Sequence, residues 1–82
     1  MYRVYVLQQR GRGRGSQVLT ETRTATPSAG AAHAAFWALY GAAYDPTHLL
    51  LMTRDNKQVT AYRYGSRAGE SDYIPPGATL PE

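Results

Sequence analysis

The sequence contains no cysteine. Disulfide staples, thiolate zinc sites and a cysteine nucleophile are thereby excluded, and the composition fits a reducing cytoplasm. Stability must come from packing. Charge is also missing from a long stretch: between Thr24 and Tyr44 there is no Asp, Glu, Lys or Arg. That run is mostly Ala and Gly, with Pro27 near its start and His33 inside it, and it lacks the Leu, Ile, Val and Phe that would carry it into bilayer hydrocarbon. It reads as a buried helix of a soluble protein, with no membrane association. The first residues, MYRVYVLQQR, lack the apolar stretch and small-residue cleavage site of a signal peptide, so a cytoplasmic location is expected.

At 82 residues the chain is one domain at most, with room for a single layer of helix on sheet and none for a separate catalytic domain. What charge it has is unevenly spread. Residues 1–23 carry five basic side chains against Glu21 alone, whereas 45–82 carry four basic and five acidic. The positive field therefore belongs to the beginning of the chain, where it would steer association with an anionic partner, whether nucleic acid or an acidic protein face.

Tyr2 to Gln9 is rich in β-branched and aromatic residues, and Gln17 to Ala25 alternates Leu19, Glu21 and Arg23 with Val18, Thr20, Thr22 and Thr24. Both predict strands. The glycines of RGRGRGS between them suit a hairpin connection. Thr26 and Pro27 supply a helix start, and Asp45 and Pro46 a stop, so a helix is expected from there to about Tyr44. On a helical wheel Ala32, Phe36, Leu39, Tyr40 and Ala43 share the face expected to meet the sheet. His33, Trp37 and Tyr44 flank it, and the back is uncharged. His48 to Asp55 and Lys57 to Tyr64 predict a second hairpin across Asp55 and Asn56, residues that tolerate the left-handed conformation of a tight turn.

The expected fold is therefore α+β: a four-stranded antiparallel sheet with one helix packed on one face, in the order ββαββ, over residues 1–65. Residues 66–82, rich in Pro and Gly, are expected to form an irregular C-terminal tail pinned by Tyr73 and Ile74. Strands one and three offer apolar residues to both faces of the sheet, and one helix covers only one of them. The surplus apolar surface implies a tail folded across it, a second copy in a homodimer, or another protein.

The sharpest candidate for chemistry is the loop carrying Arg10, Arg12 and Arg14. Guanidinium forks bind carboxylate and phosphate in bidentate fashion, and glycine spacers let the backbone approach closely. The competing reading is a solvated hairpin tip. No Gly-Lys-Ser/Thr follows, so it is not a phosphate-cradling loop. Trp37, Tyr62 and Tyr64 are candidate anchors, because Tyr and Trp serve equally as protein hot spots and as platforms for single-stranded bases. Each is also a candidate core residue. His33 and His48 have no carboxylates at metal-ligand spacing, and no acid pair or activated hydroxyl stands out. We expect no enzyme, no metal and no cofactor.

A small, cysteine-free chain with an N-terminal hairpin, an Ala-rich central helix (PSAGAAHAAFWALYGAA) and a second hairpin (HLLLMTRDNKQVTAYRY) resembles several small anti-CRISPR proteins of phages and other mobile elements, in particular inhibitors of type I systems. The resemblance covers roughly residues 2–65 and is one of size and architecture, without a diagnostic motif. It implies a non-enzymatic inhibitor that binds the type I Cas effector complex and blocks target DNA binding or nuclease recruitment. The basic loop departs from the acidic nucleic-acid mimics among such inhibitors. The alternative is a small basic DNA- or RNA-binding module of a phage or plasmid.

Overall fold

The computed structural model describes residues 1–9 and 15–81. Its elements are β1 (Tyr2–Gln9), β2 (Ser16–Thr26), α1 (Ala29–Tyr40), β3 (His48–Arg54) and β4 (Lys57–Arg63). The strands form one antiparallel sheet in the order β2-β1-β3-β4, with α1 over one face of β2, β1 and β3. The ββαββ expectation holds.

Asp55 and Asn56 both adopt left-handed backbone, with φ of 51° and 67°. That is the conformation a two-residue hairpin turn needs to match strand twist. The helix starts later than expected. Its N-cap is Ser28, in extended backbone, whose Oγ accepts from the Ala31 amide at 3.2 Å. Pro27 lies before the helix, and the Thr26 hydroxyl accepts from the Ser28 amide instead. The helix also stops short of Tyr44. Gly41 is the C-cap, and the Leu39 carbonyl of the last turn accepts from the Ala42 amide at 3.0 Å and from the Tyr64 hydroxyl. Ala43, expected against the sheet, is consequently exposed.

The helix packs on Tyr2, Val4 and Val6 of β1, Leu50 and Met52 of β3, and the Tyr62 and Tyr64 pair. Ala32, Phe36, Val4, Val6, Leu50 and Met52 are completely buried in this core. Among the described strand residues, the β1–β2 ladder carries a large bulge: Val4 pairs with Thr24 and Val6 with Leu19, so Tyr5 alone faces residues 20–23. Thr22 closes the gap. Its buried Oγ1 accepts from the Val6 amide at 2.9 Å and donates to the Leu19 carbonyl at 2.6 Å, satisfying backbone groups that the interrupted ladder leaves unpaired.

Beyond β4 the chain turns at Gly65, where φ is +79° and a Cβ would stand 2.9 Å from Pro46 Cγ. Residues 66–81 then run along the free edge of β4 and onto the helix side of the sheet. The Arg63 amide donates to the Asp72 carbonyl at 2.9 Å, its guanidinium pairs with the Asp72 carboxylate, and the Tyr40 hydroxyl donates to the Ile74 carbonyl at 2.6 Å. Tyr73 and Ile74 pack on the core as expected, and Leu80 enters it, with only 6% of its surface exposed. The tail thus shares the core of residues 1–65.

Candidate docking face

Arg10, Arg12 and Arg14 lie outside the described residues. The remaining expected anchors fall on the helix side. Tyr62 is 9% and Tyr64 3% exposed. Their rings stand 5.3 Å apart, Tyr62 lies 4.4 Å from the Tyr40 ring, and Tyr64 lies 5.3 Å from Tyr44. An exposed aromatic platform at Tyr62 and Tyr64 is therefore corrected: the register sets Tyr62 opposite Leu50, on the covered face. Trp37 is half-buried at the helix flank, edge-on to Phe36 at 5.4 Å and to Tyr40 at 4.9 Å. Burial raises the hydroxyl pKa of Tyr40 to about 12, and that of Tyr64 is raised by burial as well.

His33 places Nε2 3.3 Å from the Pro81 carbonyl oxygen. His48 is buried under the Tyr44 ring, with Nδ1 2.9 Å from the Asp45 carboxylate. Hydrogen bonds from Thr47, and then from His48, hold the Asp45 carboxyl below its usual range. This Asp-Thr-His arrangement closes the turn into β3. Among the described residues no group of three or more His, Cys, Asp or Glu is placed to hold a metal ion.

The face opposite the helix is where the surplus apolar residues gather. Strand pairing sets Leu7 beside Leu49, Tyr5 beside Leu51, and Leu51 beside Ala61. Leu51 is 9% exposed, while Tyr5, Leu7, Leu49 and Ala61 are partly buried. The tail lies on the other side, so among the described residues nothing lies across this strip. Basic residues flank it. Arg63 stands at the β4 margin, neutralised by Asp72. At the far end Arg3, Tyr5, Val18, Arg23, Thr53 and Asn56 line an open depression of about 460 Å³. Arg3 donates to the Asn56 amide oxygen at 3.2 Å. Neither Arg3 nor Arg23 has an ion-pair partner among the described residues.

Sequence reasoning set Tyr5 and Leu7 on one face of strand one and counted Arg3 and Arg23 in the positive field, but it did not name Arg3, Tyr5 or Arg23 as site residues. The alternation of Arg3, Tyr5 and Leu7 against Val4 and Val6 was the available signal. Arg23 carried none, because the bulge that sets its position depends on a tertiary hydrogen bond. Comparison with protein-family models, curated proteins and solved structures finds no match to the chain. Among the described residues no helix is long and apolar enough to cross a membrane.

Proposed function

We propose that the chain is a non-enzymatic binding protein that docks through the open face of its sheet on an acidic surface of a protein partner. Following the resemblance in size and element order, the partner is a type I CRISPR-Cas effector complex, held from binding target DNA or recruiting its nuclease. The distribution of residue types on the open face carries the docking reading. Tyr5, Leu7, Leu49, Leu51 and Ala61 form an apolar strip, and Arg3 and Arg23 at its end lack acidic partners among the described residues. An apolar centre bordered by Arg and Tyr is the anatomy of a protein interface. In this proposal Arg10, Arg12 and Arg14 extend the positive field toward the same partner.

The nucleic-acid alternative has one observation in its favour, Tyr5, Arg3 and Arg23 lining one depression. A single-strand platform normally stacks successive bases on several aromatics. Here the rest of the face is aliphatic, and Tyr62 and Tyr64 are in the core.

The test is a pull-down of the tagged protein from cells expressing a type I effector complex, with and without nuclease, read by mass spectrometry. Cas subunits retained after nuclease, and lost with a Leu7→Lys/Leu49→Lys variant, are expected. Recovery of nucleic acid alone, abolished by nuclease, would sink the inhibitor reading.

A further inference from the structure

The depression at the Arg3 end of the open face has the construction of an anion subsite. Its two guanidiniums arrive from different strands by different devices. Arg3 is on β1, beside Thr53 of β3, and is held by the Asn56 amide oxygen. Asn56 is itself fixed by the left-handed turn at φ 67°. Arg23 comes from the bulged segment of β2, where the neighbouring Thr22 side chain ties the bulge to Val6 and Leu19.

The acids nearby form no ion pair with either arginine among the described residues. Asp55 pairs with the Met1 amine at 2.9 Å, and that bond, with the weaker pull of Arg54 and Arg3, holds its carboxyl below the usual range. Glu21 is exposed and makes no ion pair among the described residues. Two planar five-donor groups beside a hydroxyl and a carboxamide suit an oxyanion, and guanidinium favours bidentate acceptors.

The volume, about 460 Å³, lies within the roughly 300–1,000 Å³ typical of ligand sites and exceeds what one carboxylate fills. The occupant therefore brings more than a single anionic group. The walls beyond the arginines are Tyr5 and Val18, continuous with Leu7 and Leu51. Such walls suit a chain that alternates charge with apolar side chains better than a polyphosphate backbone.

We infer that this depression is the specificity subsite of the docking face, where Arg3 and Arg23 grip the carboxylates of an acidic peptide segment with apolar residues between its acids. The inference rests on the docking reading for its biological partner, but its chemistry is tested separately. The probe is an acetylated hexapeptide alternating Glu and Leu, titrated into ¹⁵N-labelled full-length protein. A dT6 oligonucleotide and inorganic phosphate form parallel arms.

Peptide is expected to shift the Thr53 and Asn56 amide signals and the Arg3 and Arg23 side-chain Nε signals. The double variant Arg3→Ala/Arg23→Ala should bind it at least tenfold more weakly, with unchanged circular dichroism. Arg3→Lys/Arg23→Lys, which retains charge but not the fork, should recover only part of the affinity. Absence of shifts, equal binding by the alanine variant, or full recovery by the lysine variant would overturn the subsite. Tighter binding of dT6, or equal shifts with phosphate, would overturn the acidic peptide as occupant. If the alanine variant loses the peptide while Leu7→Lys/Leu49→Lys leaves capture of the effector complex intact, the docking reading fails and the subsite stands. The converse pattern sinks the subsite alone.

Discussion

Replacing Thr22 by Val tests whether one hydroxyl holds the β1–β2 bulge together. The two side chains are close in volume, so little cavity is made. What disappears is the Oγ1 that accepts from the Val6 amide at 2.9 Å and donates to the Leu19 carbonyl at 2.6 Å. Val6 is completely buried, so its N–H has no water to turn to. Leaving a buried donor without a partner costs about 1–3 kcal/mol. For a domain of this size each kcal/mol lowers the melting temperature by roughly 4–8 °C. Thr22→Val should therefore melt at least about 4 °C below the parent, and the Val6 amide should lose its protection from hydrogen exchange. Thr22→Ser retains the hydroxyl and should restore that protection. Because Arg23 follows Thr22, peptide affinity at the depression should fall with Val and return with Ser. A melting temperature unchanged by Val, or a Ser variant as damaged as Val, would refute the assignment of the bulge to this hydroxyl.

Tyr40→Phe removes the hydroxyl that donates to the Ile74 carbonyl at 2.6 Å; a loss of about 0.5–1.5 kcal/mol is expected, with faster proteolysis of residues 66–81. Alkaline titration of tyrosine absorbance should show Tyr40 ionising near pH 12 and Tyr64 later than a free phenol. A folded-state pKa above the unfolded value means that the neutral phenol is the form the fold favours. Its contribution is complete below the unfolded pKa near 10 and is lost as pH rises toward about 12, so denaturation midpoints should fall over that interval. Asp45 has the opposite sign. Its carboxylate is the favoured form, so its contribution is present above the ordinary value of 3.8 and is lost as pH falls through the lower folded value. Asp45→Asn should flatten the acid limb of the stability profile, measured by urea denaturation at a series of pH values.

Local signals placed most of the fold. The Asp55-Asn56 pair named its own turn, because few residue pairs accept two successive positive φ angles. The run of Leu49 to Met52 could only be a strand buried on both faces or a partnered surface. Helix limits were less legible, since Thr26, Pro27 and Ser28 are all good N-terminal residues, and the choice of Ser28 was decided by which hydroxyl reaches an amide. At the end by Gly41 the Leu39 carbonyl takes the Ala42 amide and the Tyr64 hydroxyl, and the second of these donors comes from a part of the chain no helix signal could indicate. Trp37, Tyr62 and Tyr64 were recognisable as aromatics of consequence, but whether they faced solvent depended on the face α1 chose.

That choice follows from the side chains of β1 and β3 taken together. Val4, Val6, Leu50 and Met52 present a compact aliphatic surface on which the Phe36 face of α1 can close, and all four are completely buried. The other side has Arg3, Tyr5, Arg63 and Thr53 among its leucines. Covering it would strand the Arg3 guanidinium under a helix that carries no acid, whereas burying a charge without a partner is strongly unfavourable. The helix runs 12 residues over β2, β1 and β3, and the tail joins the same core through Tyr73, Ile74 and Leu80. With both covering elements committed to one face, the apolar strip on the other is left uncovered among the described residues, and under the docking proposal Arg3 at its end is what would favour an acidic partner.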